Sequence, residues 1–238
     1  KTKIKFLEKK LNISFKSLHI VNNYKNAYIE NTIEGNNDSR DFSGYEAGLC
    51  DIEKNLNKPD NSLSLVVNDS LFSKHFSWGI LFLMQKKIKL LKNENFLIGW
   101  KDYNQGFFFN SINGPQDFWI STFIFLTPTH NLINFRLLPK QLKADNLFNL
   151  NDCNNFFKDH IDKDLQSYLE TFYMTPNYGW PGSEKLTKSN TKYLAGKLSA
   201  ALCETRLTQQ FIKNKIKIIS INENLKKVDT IILKLCNL

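Results

Sequence analysis

An α/β domain, a mixed sheet flanked by helices, is the fold class this chain predicts. Two observations carry the expectation. Short apolar runs of strand length alternate with longer segments whose apolar residues recur at helical spacing. The strand-like runs are also nearly continuous in apolar character, as in sheets covered on both faces. Of the 238 residues, 42% are hydrophobic and 13% aromatic, enough for a sizeable core and against a disordered chain.

In chain order, residues 3–11 place Ile4, Leu7 and Leu11 at helical spacing. Residues 18–21 form a short strand running into Asn22-Asn23, and residues 24–40 are a polar connection with a turn at Gly35-Asn36-Asn37-Asp38-Ser39. Phe42, Tyr45, Leu49 and Ile52 then mark one face of a helix, with Asp41 suited to its first turn. Gly44 and Gly48 lie inside it. Each costs about 1 kcal/mol against alanine, which points to close approach by backbone or ligand. The stretch 63–72 opens with a β-branched run that reads as a buried parallel strand and stops at Asn68-Asp69-Ser70. Two readings of that stop stand side by side: a simple turn, or oxygen donors for a cation or phosphate beyond a strand end.

Residues 72–91 read as mostly helix, 96–100 and 106–109 as short strands, 110–117 as a loop, and 118–126 as a strand ended by Pro128. Residues 145–173 read as helix, and 175–182 as a rigid loop carrying Tyr178 and Trp180. In 191–214, Leu194, Leu198 and Ala201 share one face while Leu207 and Phe211 share another. That phase slip predicts a break near 199–203, with Glu204 opening a new helix. Residues 217–221 are a last strand, and 222–238 a C-terminal extension with a lysine-spaced apolar pattern.

The formal net charge is +9, but lysine is scattered rather than blocked, so most basic pairs read as solvated faces. The four cysteines and four histidines are isolated from one another. They define neither a zinc site nor a disulfide framework, and a cytoplasmic location follows. No transmembrane segment is expected, because no run reaches the ~18 apolar residues needed. Peripheral contact of a basic chain with the inner face of the membrane stays open. The chain begins at Lys1, which reads as an incomplete N-terminus. Glycine-rich phosphate loops and the Gly-x-Ser-x-Gly elbow are missing.

What remains is an ordered set of segments. They are Ile20-Val21-Asn22-Asn23, then Arg40-Asp41-Phe42-Ser43-Gly44-Tyr45 with Gly48-Leu49, then Leu65-Val66-Val67-Asn68-Asp69-Ser70, and Cys203-Glu204-Thr205-Arg206-Leu207-Thr208-Gln209-Gln210. Their order resembles the GT-A type glycosyltransferases, in particular the family 2-like sugar transferases of bacterial surface polysaccharides. The resemblance spans 18–221 and implies one GT-A-like domain over 1–221, its first strand upstream of Lys1 or absent.

The resemblance further implies transfer of a sugar from a nucleotide-sugar donor to a glycan or lipid-linked acceptor, with inversion. It puts Glu204 at the general base, and Asn22, Asn23, Arg40, Asp41, Asn68 and Asp69 around the donor. Asp69 and Ser70 would hold Mg²⁺ or Mn²⁺ with a single carboxylate. Arg206 and Trp180 would face the acceptor, and Gln210 stands where the family has an arginine. For Glu204 an ordinary helix-start glutamate is the alternative, for Trp180 a packed loop aromatic. Two other classes stay open: a non-catalytic glycan- or nucleotide-sugar-binding relative, and a basic nucleic-acid-binding protein, although no nucleic-acid partner is expected without a clustered basic patch.

Overall fold

The computed structural model describes residues 5, 8–9, 19–22, 32–35, 40–55, 62–68, 71, 78–89, 91, 95–103, 109–111, 114–135, 138–178, 183–226 and 229–230. Within them, strands β3 (Leu63–Val67), β4 (Phe96–Tyr103), β7 (Phe118–Pro128) and β8 (Lys217–Ser220) form one mixed sheet in the order β3-β7-β4-β8. The chain is therefore α/β with an open mixed sheet. Strands β1 (His19–Asn22) and β2 (Thr32–Gly35) pair in parallel as a separate ribbon, and β5 (Phe109–Ser111) and β6 (Gly114–Gln116) make a short antiparallel hairpin.

Alternation along the central strands divides the core in two. Phe96 and Ile98 of β4, with Ile124 and Leu126 of β7, face helix α2 (Trp78–Ile88) through its Ile80, Leu81, Leu83 and Met84. Leu97, Trp119, Ile120 and Phe125 belong to a second, larger cluster. That cluster takes in α1 (Asp41–Asn55), α3 (Thr129–Ile133), α4 (Leu138–Gln141), α5 (Ala144–Leu147), α6 (Lys163–Tyr173) and α7 (Thr191–Lys213). Helices on both faces explain why β7 is apolar almost throughout.

Several expectations change. β3 is antiparallel to β7, not parallel to a neighbour. It lies at the sheet edge with Leu63 exposed, while Leu65 and Val67 pack against one core cluster and Val66 against the other. Residues 32–35, read as part of a polar connection, form β2; Thr-Ile-Glu-Gly has one apolar residue, and its pairing with β1 makes it a strand. Residues 110–117 contribute a hairpin instead of a loop.

The expected helix 145–173 is interrupted. Between α5 and α6, Asp152 Oδ1 accepts from Asn154 N at 3.0 Å and Asn155 N at 3.2 Å, and the Asn149 amide donates to Asn155 O at 2.6 Å. These local bonds compete with helix formation, while Phe148, Phe156 and Phe157 close the loop by packing on one another. Asp162 then caps α6, accepting from Asp164 N at 2.9 Å and Leu165 N at 3.3 Å.

Helix α7 is continuous from Thr191 to Lys213, with no break near 199–203. Its phase slip arises because the second half is buried on more than one side, with Cys203, Thr205, Leu207, Thr208, Gln209 and Phe211 all inside. Glu204 is thus in the middle of a helix, and a helix-start role does not apply to it. Beyond Ile221, the described residues are bonded to the same body. Asn222 accepts from Lys101 N and donates to Lys101 O, both at 2.8 Å, and Asp229 pairs with Lys86 at 2.8 Å. The described cysteines Cys50, Cys153 and Cys203 are free thiols. Among the described residues no helix is long and apolar enough to cross a membrane.

Candidate functional site

The site begins with an irregularity in the sheet. On β4, adjacent residues Gly99 and Trp100 face Phe125 and Ser121 of β7, so Thr122, Phe123 and Ile124 have no opposite residue there. Such a bulge bends a strand and releases backbone groups from the ladder. Gly99 is required at the step: a Cβ there would meet Ile120 Cγ2 at 2.4 Å. On the other side of β7, the last pair with β3 is Val67 with Ile124, followed by Asn68 N donating to Phe123 O at 3.3 Å. β3 does not reach residues 118–122.

Helix α7 supplies the acceptors that β3 does not. Ile120 N donates to Thr208 Oγ1 at 2.9 Å, and Thr122 N donates to Glu204 Oε1 at 2.5 Å. Two residues of strand span about 6.7 Å and four of helix about 6 Å, so acceptors at i and i+4 match donors at i and i+2. Tyr45, from α1, donates its hydroxyl to Thr122 O at 3.1 Å. Both backbone groups of Thr122 are thereby held by side chains from two helices.

Asp41 and Asn68 complete the group. The Asn68 amide donates to Asp41 Oδ2 at 3.0 Å. Tyr45 is pushed well above the usual phenol range by burial first, then by Asp41 and Glu204; hydrogen bonds to Thr122 and Asn68 pull it back. On β4, Asp102 accepts from Ser121 Oγ and, at 3.1 Å, from Trp100 Nε1.

Glu204 is the electrostatic centre. Its carboxyl rises from 4.5 to about 7. Burial is the main cause; the hydrogen bonds from Thr122 oppose it, and the charges of Asp102 and Asp41 add to it. The residue as a whole is half-buried. A carboxyl titrating near neutrality and flanked by acids suits proton transfer.

Of the residues the sequence proposed, the structure brings Asp41, Asn68 and Glu204 into this cluster. Arg40 is adjacent, its guanidinium 4.5 Å from the Tyr193 ring centroid. Arg206 is not brought in. It follows Glu204 by two positions, about 200° around the helix, and its Nη1 is buried with no hydrogen-bonding partner among the described residues. Only the backbone of Asn22, in β1, is described. Asn23, Asp69, Ser70 and Trp180 lie outside the described residues.

Three participants went unrecognised in the sequence. Tyr45 was counted as an apolar face residue, although its hydroxyl does the bonding. Thr122 and Asp102 had a usable signal: Ser121-Thr122 is the polar interruption in the apolar run of β7, and Lys101-Asp102 is the charged pair that ends the apolar run of β4. Comparison with protein-family models, curated proteins and solved structures returned no match for this chain.

Proposed function

We propose that the protein is a glycosyltransferase that moves a sugar from a nucleotide-sugar to a hydroxyl of a glycan or lipid-linked acceptor, with Glu204 as general base. The observation that supports this reading most is the Glu204 carboxyl at about 7 beside Asp41 and Asn68. Three segments far apart in the chain meet there, each singled out by its resemblance to a transferase motif.

In the proposed step the acceptor O–H gives its proton to Glu204 as its oxygen attacks the anomeric carbon. The bond from that carbon to the donor diphosphate breaks, the diphosphate leaves with the electron pair, and the carbon inverts. A carboxylate has about four lone-pair sites. Thr122 uses part of that capacity, and the remainder serves the acceptor. Mg²⁺ or Mn²⁺ would belong with Asp69 and Ser70. Among the described residues no group of three histidine, cysteine, aspartate or glutamate side chains is placed to hold a metal. The reaction would take place in the cytoplasm, at or near the membrane's inner face.

A second reading has its own support. Thr208 makes the same type of contact as Glu204 one turn further on, and Thr208 has no acid–base chemistry. Glu204 as a purely structural clamp would fit a non-catalytic binding relative. Calorimetric titration with UDP-, GDP- and dTDP-sugars, with and without Mn²⁺, and turnover assays of Glu204→Gln test both. The transferase reading expects nucleotide-sugar binding retained in the variant and turnover lowered by about 10²–10⁴-fold. Binding without turnover in the parent protein favours the second reading. Absence of any nucleotide binding overturns the first.

A further inference from the structure

We propose that Asp102 is a positioning residue for Glu204: it fixes the Ser121-Thr122 dipeptide to which Glu204 is bonded and keeps a second negative charge beside that carboxyl. Asp102, in β4, accepts from the Trp100 indole N–H at 3.1 Å and from the Ser121 hydroxyl. Trp100 and Ser121 are themselves paired across the irregular step in the β4–β7 ladder. One carboxyl group therefore ties the two strands together where their register shifts. From helix α7, Glu204 takes the neighbouring Thr122 N–H at 2.5 Å. That N–H belongs to the peptide joining Ser121 to Thr122. Two carboxyl groups thus hold one dipeptide, Asp102 by the Ser121 side chain and Glu204 by the Thr122 backbone.

Electrostatics places the pair together by a second route. Burial is the main cause of the raised Glu204 carboxyl, and of the two acids that add to it Asp102 ranks before Asp41. Tyr173 of α6 is raised first by burial, and the charges of both Glu204 and Asp102 add to the rise. The other titratable groups near Glu204 are Tyr45 of α1 and Cys203 beside it on α7. Burial pushes both upwards, so neither carries charge near neutrality. Lys101, the cation next to Asp102 in the chain, is paired with Glu223 at 2.8 Å. An ionised aspartate is acceptor-only, and both of the Asp102 bonds are acceptances. Two carboxyl groups in unlike surroundings can then take unlike parts, one charged and one exchanging its proton.

As a catalytic device this rests on the transferase reading, but the positioning itself is read without turnover. The Glu204 carboxyl is titrated by carbon NMR in the full chain, in Asp102→Asn and in Ser121→Ala. Its signal is identified by its loss in Glu204→Gln, and thermal melting confirms each fold. Asparagine can still accept from Trp100 and donate to the Ser121 oxygen, so the change removes mainly the charge. The Glu204 midpoint in Asp102→Asn should fall from about 7 by roughly half a unit to one unit. Ser121→Ala keeps the charge and loosens the dipeptide. The Thr122 bonds that hold the carboxyl down weaken, so its midpoint should not fall, and amide exchange at Thr122 should quicken. A purely structural Asp102 would make the two variants alike. A midpoint that does not fall in Asp102→Asn, a midpoint that falls in Ser121→Ala, or unchanged Thr122 exchange in Ser121→Ala overturns the proposal. Under the transferase reading, the pH of half-maximal turnover moves down with the midpoint in Asp102→Asn. The expected midpoints in a protein that turns over no nucleotide-sugar keep the positioning role and remove the transferase.

Discussion

Replacing Glu204 by glutamine should stabilise the protein above neutral pH and leave it nearly unchanged in acid. The reason is the gap between the ordinary glutamate value of 4.5 and the folded value of about 7. Between those limits the folded chain binds the proton that the unfolded chain has already lost. Stability is therefore full below 4.5 and falls as pH rises towards 7, the reverse of a salt-bridged acid. At ~1.36 kcal/mol per pKa unit the loss comes to about 3 kcal/mol. Glutamine is neutral at every pH and keeps an oxygen for the Thr122 N–H. Urea unfolding of both chains at pH 4, 5.5, 7 and 8.5 reads the difference. The two should agree within a few tenths of a kcal/mol at pH 4, diverge through the middle, and differ by about 3 kcal/mol at pH 8.5. A variant less stable than the parent at pH 8.5, or two parallel pH profiles, would refute the desolvated carboxyl and with it the base poised near neutrality.

Two further substitutions test how the site is held. Gly99→Ala puts a Cβ 2.4 Å from Ile120 Cγ2, well inside contact distance, and should cost about 1–3 kcal/mol as an overpacked core site, read as a lower urea midpoint at unchanged slope. Thr208→Val removes the acceptor for the buried Ile120 N–H and should cost about 1–3 kcal/mol, with faster amide exchange at Ile120.

The α/β class, α1, β4, β7 and β8 were legible because each depends on a local pattern that survives in isolation: helical spacing in α1, apolar runs in the strands. The direction of β3 was not, since Leu-Ser-Leu-Val-Val reads the same in either orientation and only its partner decides. The continuity of α7 was hidden for a related reason. A helix wrapped by a sheet and other helices shows two apolar phases, and a change of phase looks like a break. Glu204, Asp41 and Asn68, which the structure places near one another, were singled out through segment order. Tyr45 and Thr122 were not, because their part is played by a hydroxyl on an apolar face and by a backbone N–H left to α7 where β3 ends. A single sequence does not show where a partner strand stops, although the Ser121-Thr122 interruption was there to be read.

Glu204 and Thr208 form an internal control on function. Both accept a backbone N–H from β7, at positions two apart, and both come from the same helix face. If the pair only replaces the missing stretch of β3, Glu204→Gln and Thr208→Val should act on whatever the protein does through stability alone. Any loss of activity would then recover at lower temperature or with stabilising ligand. If Glu204 takes a proton during reaction, the two part company. Thr208→Val should keep turnover once folded, and Glu204→Gln should lose it while being the more stable protein above pH 7. A variant that gains stability and loses activity at one carboxyl is the pattern expected of a group kept buried for its chemistry at the expense of the fold. Equal turnover by the two variants would leave Glu204 as a clamp.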